Sequence, residues 1–197
     1  MKPLLLGSHP ALDFLNTGYG PPGARVEVIG NGQSFLEWLA AVGLVTAAEA
    51  ASVRRGLGNE ALDTAASQAR LARQWIADWI GRWRDAPQRP YSTEIRRLNA
   101  LLARARCHRT LVRSTEGLRL LEQCSLETAD DLLAVIAAQV ASLVAFERPE
   151  LVKRCAGAQC TLWFLDRTRA HRRMFCSAAA CGNRAKVAAF RERQRAS

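Results

Sequence analysis

The sequence Cys155-Ala-Gly-Ala-Gln-Cys160, followed after fifteen residues by Cys176-Ser-Ala-Ala-Ala-Cys181, decides the fold of the C-terminal part of the chain. Its four cysteines form two pairs, and four residues separate the partners of each pair. Paired cysteines that flank a span of roughly ten to twenty residues are typical of a structural zinc site. Each pair can supply two thiolates from one tight turn. We therefore predict one Zn²⁺ per chain, bound by Cys155, Cys160, Cys176 and Cys181.

The residues around the cysteines predict a treble-clef-like zinc module. Strands are expected over 151–154 and 161–166, with a third short strand at Met174 and Phe175, and Ser177 is expected to cap a final helix over about 178–195. Four thiolates leave no open coordination position, which indicates structural rather than catalytic zinc. His171 lies between the cysteine pairs and could replace a ligand, but a solvated loop position is the simpler interpretation.

Two motifs resemble known families. The run Cys181-Gly182-Asn183-Arg184, together with the upstream cysteines, resembles the CGNR zinc-finger family. The family has an aromatic residue, often Trp, before the third cysteine, and this chain has Phe175 there. The N-terminal run Ala11-Leu-Asp-Phe-Leu-Asn-Thr17 is similar to the opening motif of the ABATE domain, which usually precedes this finger. The resemblance covers nearly the whole chain and implies a stress-linked transcription regulator of bacterial type.

Charge divides the chain into two parts. Residues 1–150 carry 17 basic and 16 acidic side chains, whereas residues 151–197 carry 11 basic and 2 acidic side chains, out of a net charge of +10. We therefore place a domain boundary near residue 150, between a helical domain (1–150) and a basic zinc module (151–197). So concentrated a positive charge favours a polyanionic partner, with DNA first.

The candidate nucleic-acid-binding residues form two sets, one in the loop before the third cysteine and one on the final helix. They are Arg167, Arg169, Arg172, Arg173, Arg184, Lys186 and Arg191. The alternative is a solvated basic face without a specific partner. Arg184 has a further alternative, since it could pair with Asp166 or hydrogen-bond a carbonyl of a cysteine turn. Lys186 and Arg191 are the candidates for reading bases.

The first 150 residues predict a multihelical domain that folds alone. The patterns Ser34-x-x-Glu37, Thr46-x-x-Glu49 and Thr128-x-x-Asp131 are capping boxes that predict helix starts. A stripe of Leu71, Trp75, Trp79 and Trp83 predicts a core face of one helix, from about Glu60 to Arg84, which Asn59 would cap. A small β-hairpin is expected around the turn Ser114-Thr-Glu-Gly117. The predicted fold class is thus mainly α, with this hairpin and the zinc module.

Four polar or sulfur-containing residues outside the module leave alternatives open. Asp13 and Asn16 could line a small-molecule pocket in a sensor domain, or they could hold a turn through local hydrogen bonds. Cys107 and Cys124 are expected to be isolated thiols in the core or at its boundary.

The function predicted from these features is a DNA-binding transcription regulator rather than an enzyme, because no nucleophile–base set or phosphate-binding glycine loop is evident. The alternative is a zinc-stapled interaction protein that binds RNA or an acidic protein. We expect a cytoplasmic location without membrane association, because the N-terminus lacks a signal-peptide pattern and apolar runs are short. A small-molecule effector and a homodimer are both compatible with the helical domain.

Overall fold

The computed structural model describes residues 4–21 and 23–196 and shows a mainly helical chain, as predicted. The six α-helices among these residues are α1 (Pro10–Leu15), α2 (Gly32–Ala41), α3 (Ala47–Asp85), α4 (Ser92–Leu102), α5 (Ala129–Phe146) and α6 (Asn183–Ala196). Three antiparallel pairs of strands accompany them: β1 (Gly18–Tyr19) with β2 (Val26–Glu27), β3 (Cys107–Ser114) with β4 (Gly117–Cys124), and β5 (Val152–Arg154) with β6 (Trp163–Leu165).

Capping boxes begin three of the helices. Thr46 begins α3 and Thr128 begins α5, each with the reciprocal bonds that the sequence predicts. The prediction for α2 was wrong by three residues, because Asn31 is the cap and Ser34 is its partner within the box. Asn side chains satisfy the first free N–H groups of a helix as well as Ser does.

A break at Gly58 divides α3 into the two helices that the sequence predicts. Gly58 has φ of 72°, a left-handed conformation that costs glycine little and other residues more. A second glycine, Gly32, allows α2 to pack closely on α3, because a Cβ atom there would lie 2.3 Å from the Cβ of Leu62. The absence of a side chain at Gly32 thus allows the close approach of α2 to α3.

The helical core forms between α1, α2, α3, α4 and α5. Trp79, Ile80 and Trp83 of α3 are buried there, as the stripe predicts, but Leu71 is 64% exposed because it lies beside the packed face. Among the described residues, α5 alone has the length and hydropathy of a membrane span, and 44% of it is buried inside the protein. Its inward residues, such as Leu132 and Val140, lie at the centre of the core, which accounts for its apolar composition.

The β3–β4 hairpin brings Cys107 opposite Cys124, and the two form a disulfide. The prediction of isolated thiols was therefore wrong. Counting outward from the two turn residues pairs these cysteines directly, so the hairpin register itself joins them. One face of the hairpin carries exposed leucines, which are Leu111, Leu118 and Leu120.

The strand β6 is shared between two cores. Its side chains alternate, as in any strand, so Trp163 and Leu165 join the helical core while Phe164 joins a second cluster with the cysteines. We call this second cluster the zinc core; its buried members are Cys155, Leu162, Phe164, Cys176 and Cys181. The predicted third strand is absent among the described residues, although Ala156 N–H donates to the carbonyl of Met174 at 2.9 Å. The zinc module therefore packs on the helical domain.

Candidate metal centre and basic surface

The four cysteine sulfurs meet in one cluster. All four Sγ atoms lie within 4.8 Å of one another, with 3.8 Å between Cys160 and Cys176 and 3.6 Å between Cys176 and Cys181. A Zn²⁺ ion binds sulfur at about 2.3 Å in a tetrahedron, so its ligand sulfurs lie about 3.8 Å apart. The donor set and its spacing therefore fit a structural zinc ion.

Local structure holds each cysteine in place. Cys155 follows β5, and a turn closed by the Cys160 N–H on the carbonyl of Gly157 returns the second sulfur. Gly157 leaves little space for a side chain there, because an added Cβ would lie 3.2 Å from the Cβ of Cys160. Cys181 lies in a π-turn (Ala178–Gly182) that precedes α6 and that Ser177 caps, as the sequence predicts.

Backbone N–H groups point at the sulfur of Cys155. Cys176 N–H donates to it at 3.3 Å and Gly157 N–H at 3.5 Å. Burial acts to raise the pKa of Cys155, but these hydrogen bonds outweigh it and lower the pKa below its ordinary value. Burial raises the pKa of Cys160 to about 11 and also raises that of Cys176. Four thiols this close need a cation before all can ionise, which is what a bound zinc supplies.

Comparison with known families agrees with this geometry. A family model described as "Putative stress-induced transcription regulator", ABATE, matches residues 8–147. The chain belongs to the ABATE family. A second model, the CGNR zinc finger, matches residues 152–194 and contains all four cysteines. The ABATE domain thus precedes a zinc finger with one structural zinc site. No curated protein matches the chain.

Arg184 of the CGNR motif contacts the metal site. Its guanidinium donates to Cys181 Sγ at 3.0 Å, and the neighbouring thiolates raise its pKa, first through that hydrogen bond. Four thiolates around Zn²⁺ carry a net negative charge, which a cation at this distance offsets. Asn183 donates to the carbonyl of Ala179 and so ties α6 to the π-turn. From the sequence, Arg184 could pair with Asp166 or hydrogen-bond a carbonyl of a cysteine turn. Neither is its partner among the described contacts.

Asp166 is instead the centre of a buried network. It is fully buried, and its carboxylate accepts from Lys153 Nζ at 2.6 Å, from Thr168 N and Oγ1, and from the backbone N–H of Arg173. Burial acts to raise the pKa of Asp166, but these donors hold it far below its usual range. The network closes the loop between β6 and Cys176.

Besides Arg184, two more of the predicted DNA-contacting arginines make contacts inside the protein. The guanidinium of Arg173 donates to the carbonyls of Phe175 at 2.9 Å, of Cys176 and of Leu6, and lies 4.3 Å from the ring centroid of Phe164. Arg167 pairs with Glu147 of the ABATE domain at 2.6 Å. A sequence shows that such residues are charged, but not that carbonyls or acids from distant segments surround them.

The other predicted cations remain on the surface. Arg169, Arg172, Lys186 and Arg191 are exposed, and no hydrogen bond or ion pair involves them among the described residues. Helix α6 packs mainly on the π-turn, and its residues 186–195 are exposed. The finger therefore presents a basic loop and a basic helix to solvent.

Asn16 and Asp13 turn inward. Asn16 Nδ2 donates to the carbonyl of Trp163 at 2.8 Å, and its Oδ1 accepts from the Trp163 N–H at 2.7 Å. Asp13 accepts from the Gly7 N–H at 2.7 Å, and Leu165 N–H donates to the Gly7 carbonyl at 2.8 Å. No described cavity is lined by either side chain. The ABATE motif thus joins the domain to strand β6, a role that the sequence analysis missed because the partner is 147 residues away.

Proposed function

We propose that this ABATE-family protein is a DNA-binding transcription regulator, in which the zinc finger holds the DNA. The observation that carries the proposal is the group of four exposed cations beside a closed zinc site: Arg169, Arg172, Lys186 and Arg191. No acidic side chain neutralises them among the described contacts. Arginine suits phosphate oxygens because its planar group donates two parallel hydrogen bonds.

Helix α6 has the composition of a helix that enters a major groove. Ala185 is its partly buried residue, and the opposite side carries Lys186, Val187, Phe190 and Arg191, all exposed. Cations on such a side can meet phosphates or guanine, and apolar side chains can meet the thymine methyl group. Lys186 and Arg191 are therefore the candidates for reading bases. Arg169 and Arg172 would contact phosphates of the DNA backbone and so position the DNA on the finger.

The remaining roles are proposals of the same kind. The closed zinc site fits structure rather than catalysis, so we assign the protein no enzymatic step. The ABATE domain would bind an effector or mediate homodimer formation, which sedimentation with and without added metabolites would test. A cytoplasmic location is also a proposal. The cytoplasm keeps most cysteines reduced, whereas Cys107 and Cys124 form a disulfide in this structure. Cell fractionation would test the location directly.

A second candidate is an interaction protein for RNA or an acidic protein. The apolar side chains of Phe190 and Val187 favour it, because they are 53% and 48% exposed on α6. Such apolar residues between cations would equally fit a groove on an acidic protein.

A pull-down of genomic fragments with the intact protein separates these candidates. We expect enrichment of discrete DNA sites by the wild type, and loss of that enrichment in Cys181→Ser, which removes a zinc ligand. The Cys107→Ser/Cys124→Ser variant keeps all four ligands and should retain the same sites. Enrichment of RNA or of one acidic protein without DNA would reject the DNA proposal in favour of the second candidate.

A further inference from the structure

An open groove of about 680 Å³ lies where the end of α3 meets the zinc module. Five cationic residues line it, namely Arg84, Lys153, Arg154, Arg172 and Arg173. Glu150 is the one acidic residue in the described lining, and Arg148 already pairs with it at 2.6 Å. We call this surface the basic groove. Its charge comes from both the ABATE domain and the finger.

The five cations differ in what they can offer to a ligand. Lys153 is held by Asp166, and the donors of Arg173 are directed at backbone carbonyls. Arg154 and Arg172 are exposed and have no described ion pair. Arg84 pairs with Asp85 at 2.7 Å, but the Asp85 side chain is 65% exposed and such surface pairs contribute little. Arg154 and Arg172 are therefore available in the groove, and Arg84 becomes available when a ligand displaces Asp85, a carboxylate on which the charge of Arg154 also acts.

One aromatic ring brings two of these groups together. The guanidinium carbons of Arg84 and Arg154 lie 5.7 Å and 4.3 Å from the ring centroid of Trp163. Trp163 is only 4% exposed, so its ring is a fixed support. Stacking uses the face of a guanidinium and leaves its N–H edges free for a ligand. Two positive charges close to one buried ring create a positive potential that attracts an anion.

We propose that the basic groove is a phosphate-binding site, and that the phosphates it binds are those of the DNA held by the zinc finger. The inference rests on the proposed function, because Arg172 belongs both to the groove and to the basic loop of the finger. Phosphate oxygens match the paired N–H groups of arginine. Arg84 then carries the DNA contact onto the ABATE domain, so the same domain that would bind an effector also touches the DNA.

Single substitutions of Arg84→Ala and Arg154→Ala test the groove, with Arg54→Ala as the matched control. Arg54 is an exposed arginine of α3, has no described partner and lies outside the groove lining. Affinity for a fixed duplex is measured across salt concentrations, and binding of inorganic pyrophosphate is measured by calorimetry. Zinc content and melting temperature must match the wild type. Each groove variant should lower the magnitude of the salt slope by about 0.9 and weaken pyrophosphate binding, while the control changes neither.

The outcomes distinguish this inference from the proposed function. If the wild type binds duplex DNA and both groove variants bind with the wild-type slope, the groove proposal is wrong and the DNA proposal stands. If no duplex is bound but pyrophosphate binding depends on Arg154, the site binds phosphate and DNA is not its source. If neither ligand binds, both proposals are overturned.

Discussion

The helical core and the zinc core are built by different means. The helical core buries large side chains from five helices, such as Phe14, Phe35 and Trp79. In the zinc core, Leu162 and Phe164 are the two buried apolar residues besides the cysteines. Burial at about 25 cal/mol per Å² can hold the first core, but so few side chains cannot hold the second without the metal. Yet both cores share one strand, β6.

The charge balance of the chain changes near residue 150, but the packing does not divide there, because β6 contributes side chains to both cores. Val152, Trp163 and Leu165 lie beyond residue 150 but belong to the helical core. Asn16 reaches from α1 to the backbone of Trp163. A module stabilised by metal is therefore attached through a strand that the helical domain also needs. Loss of the metal should therefore also destabilise the helical domain. A domain of residues 1–150 that folds alone, as the sequence predicts, would not be affected.

The largest effect is expected from the zinc ligands. Cys176→Ser should lose the metal, and with it a zinc-binding free energy of about 10–16 kcal/mol in modules of this kind. Because β6 is shared, the helical circular-dichroism signal should also melt at a lower temperature. Cys107→Ser/Cys124→Ser is the control and should retain one zinc per chain. An unchanged helical melt in Cys176→Ser would show that the two cores are independent.

Neighbouring residues of β6 should separate the two cores. Trp163→Ala should cost about 3–5 kcal/mol of unfolding free energy through the helical core, with smaller change in zinc affinity. Phe164→Ala should weaken zinc retention against a chelator, because its ring lies within the zinc core. Urea unfolding and zinc competition measure the two effects. If both variants changed unfolding free energy and zinc retention in the same way, the side chains of β6 would not alternate between the two cores.

The Asn16 bridge should have the next largest effect. Asn16→Ala removes two buried hydrogen bonds and leaves the N–H and carbonyl of Trp163 without partners, which costs about 2–4 kcal/mol. The control Asn31→Ala removes an exposed helix cap and should cost about 1 kcal/mol. Equal losses by urea unfolding would count against a special role for the bridge.

The smallest effect concerns Asp13 and pH. Burial raises its pKa from 3.8 to about 6, so the native state holds this proton more tightly than the unfolded chain does. The Asp13 contribution to stability therefore falls as pH rises from about 4 to 6 and is constant above. Asp13→Asn cannot lose a proton and should gain stability relative to the wild type across that window. Urea unfolding from pH 4 to 7 measures the difference, and a constant difference would refute the assignment.

Local chemistry explains which features the sequence could predict. The cysteine spacing predicted the cluster, and two of the capping boxes, at Thr46 and Thr128, predicted where helices begin. Each of these depends on residues close together in the chain. The pairing of Cys107 with Cys124 was also predictable, since the expected turn fixes the hairpin register.

Long-range contacts explain which features the sequence could not predict. Arg173 looks like any other arginine of a basic loop, but its partners include the carbonyl of Leu6. Asn16 finds Trp163, and Arg84 finds the same tryptophan from the end of α3. No periodicity or spacing in the sequence connects segments so far apart. Only the folded structure shows which arginines point into the protein and which face solvent.

The salt dependence of duplex DNA binding tests the central claim, that the exposed cations of the zinc finger meet the DNA backbone. Phosphate contacts from Arg169 and Arg172 predict a slope of log K against log salt of roughly −2. The slope is roughly −4 if Lys186 and Arg191 contact phosphates as well as bases, and it is steeper if the basic groove adds contacts. Arg169→Ala/Arg172→Ala should lower the magnitude by about 2 and weaken all sequences alike, whereas the control Arg54→Ala/Arg55→Ala should match the wild type. Equal slopes for all three proteins, or no duplex binding at low salt, would contradict the claim.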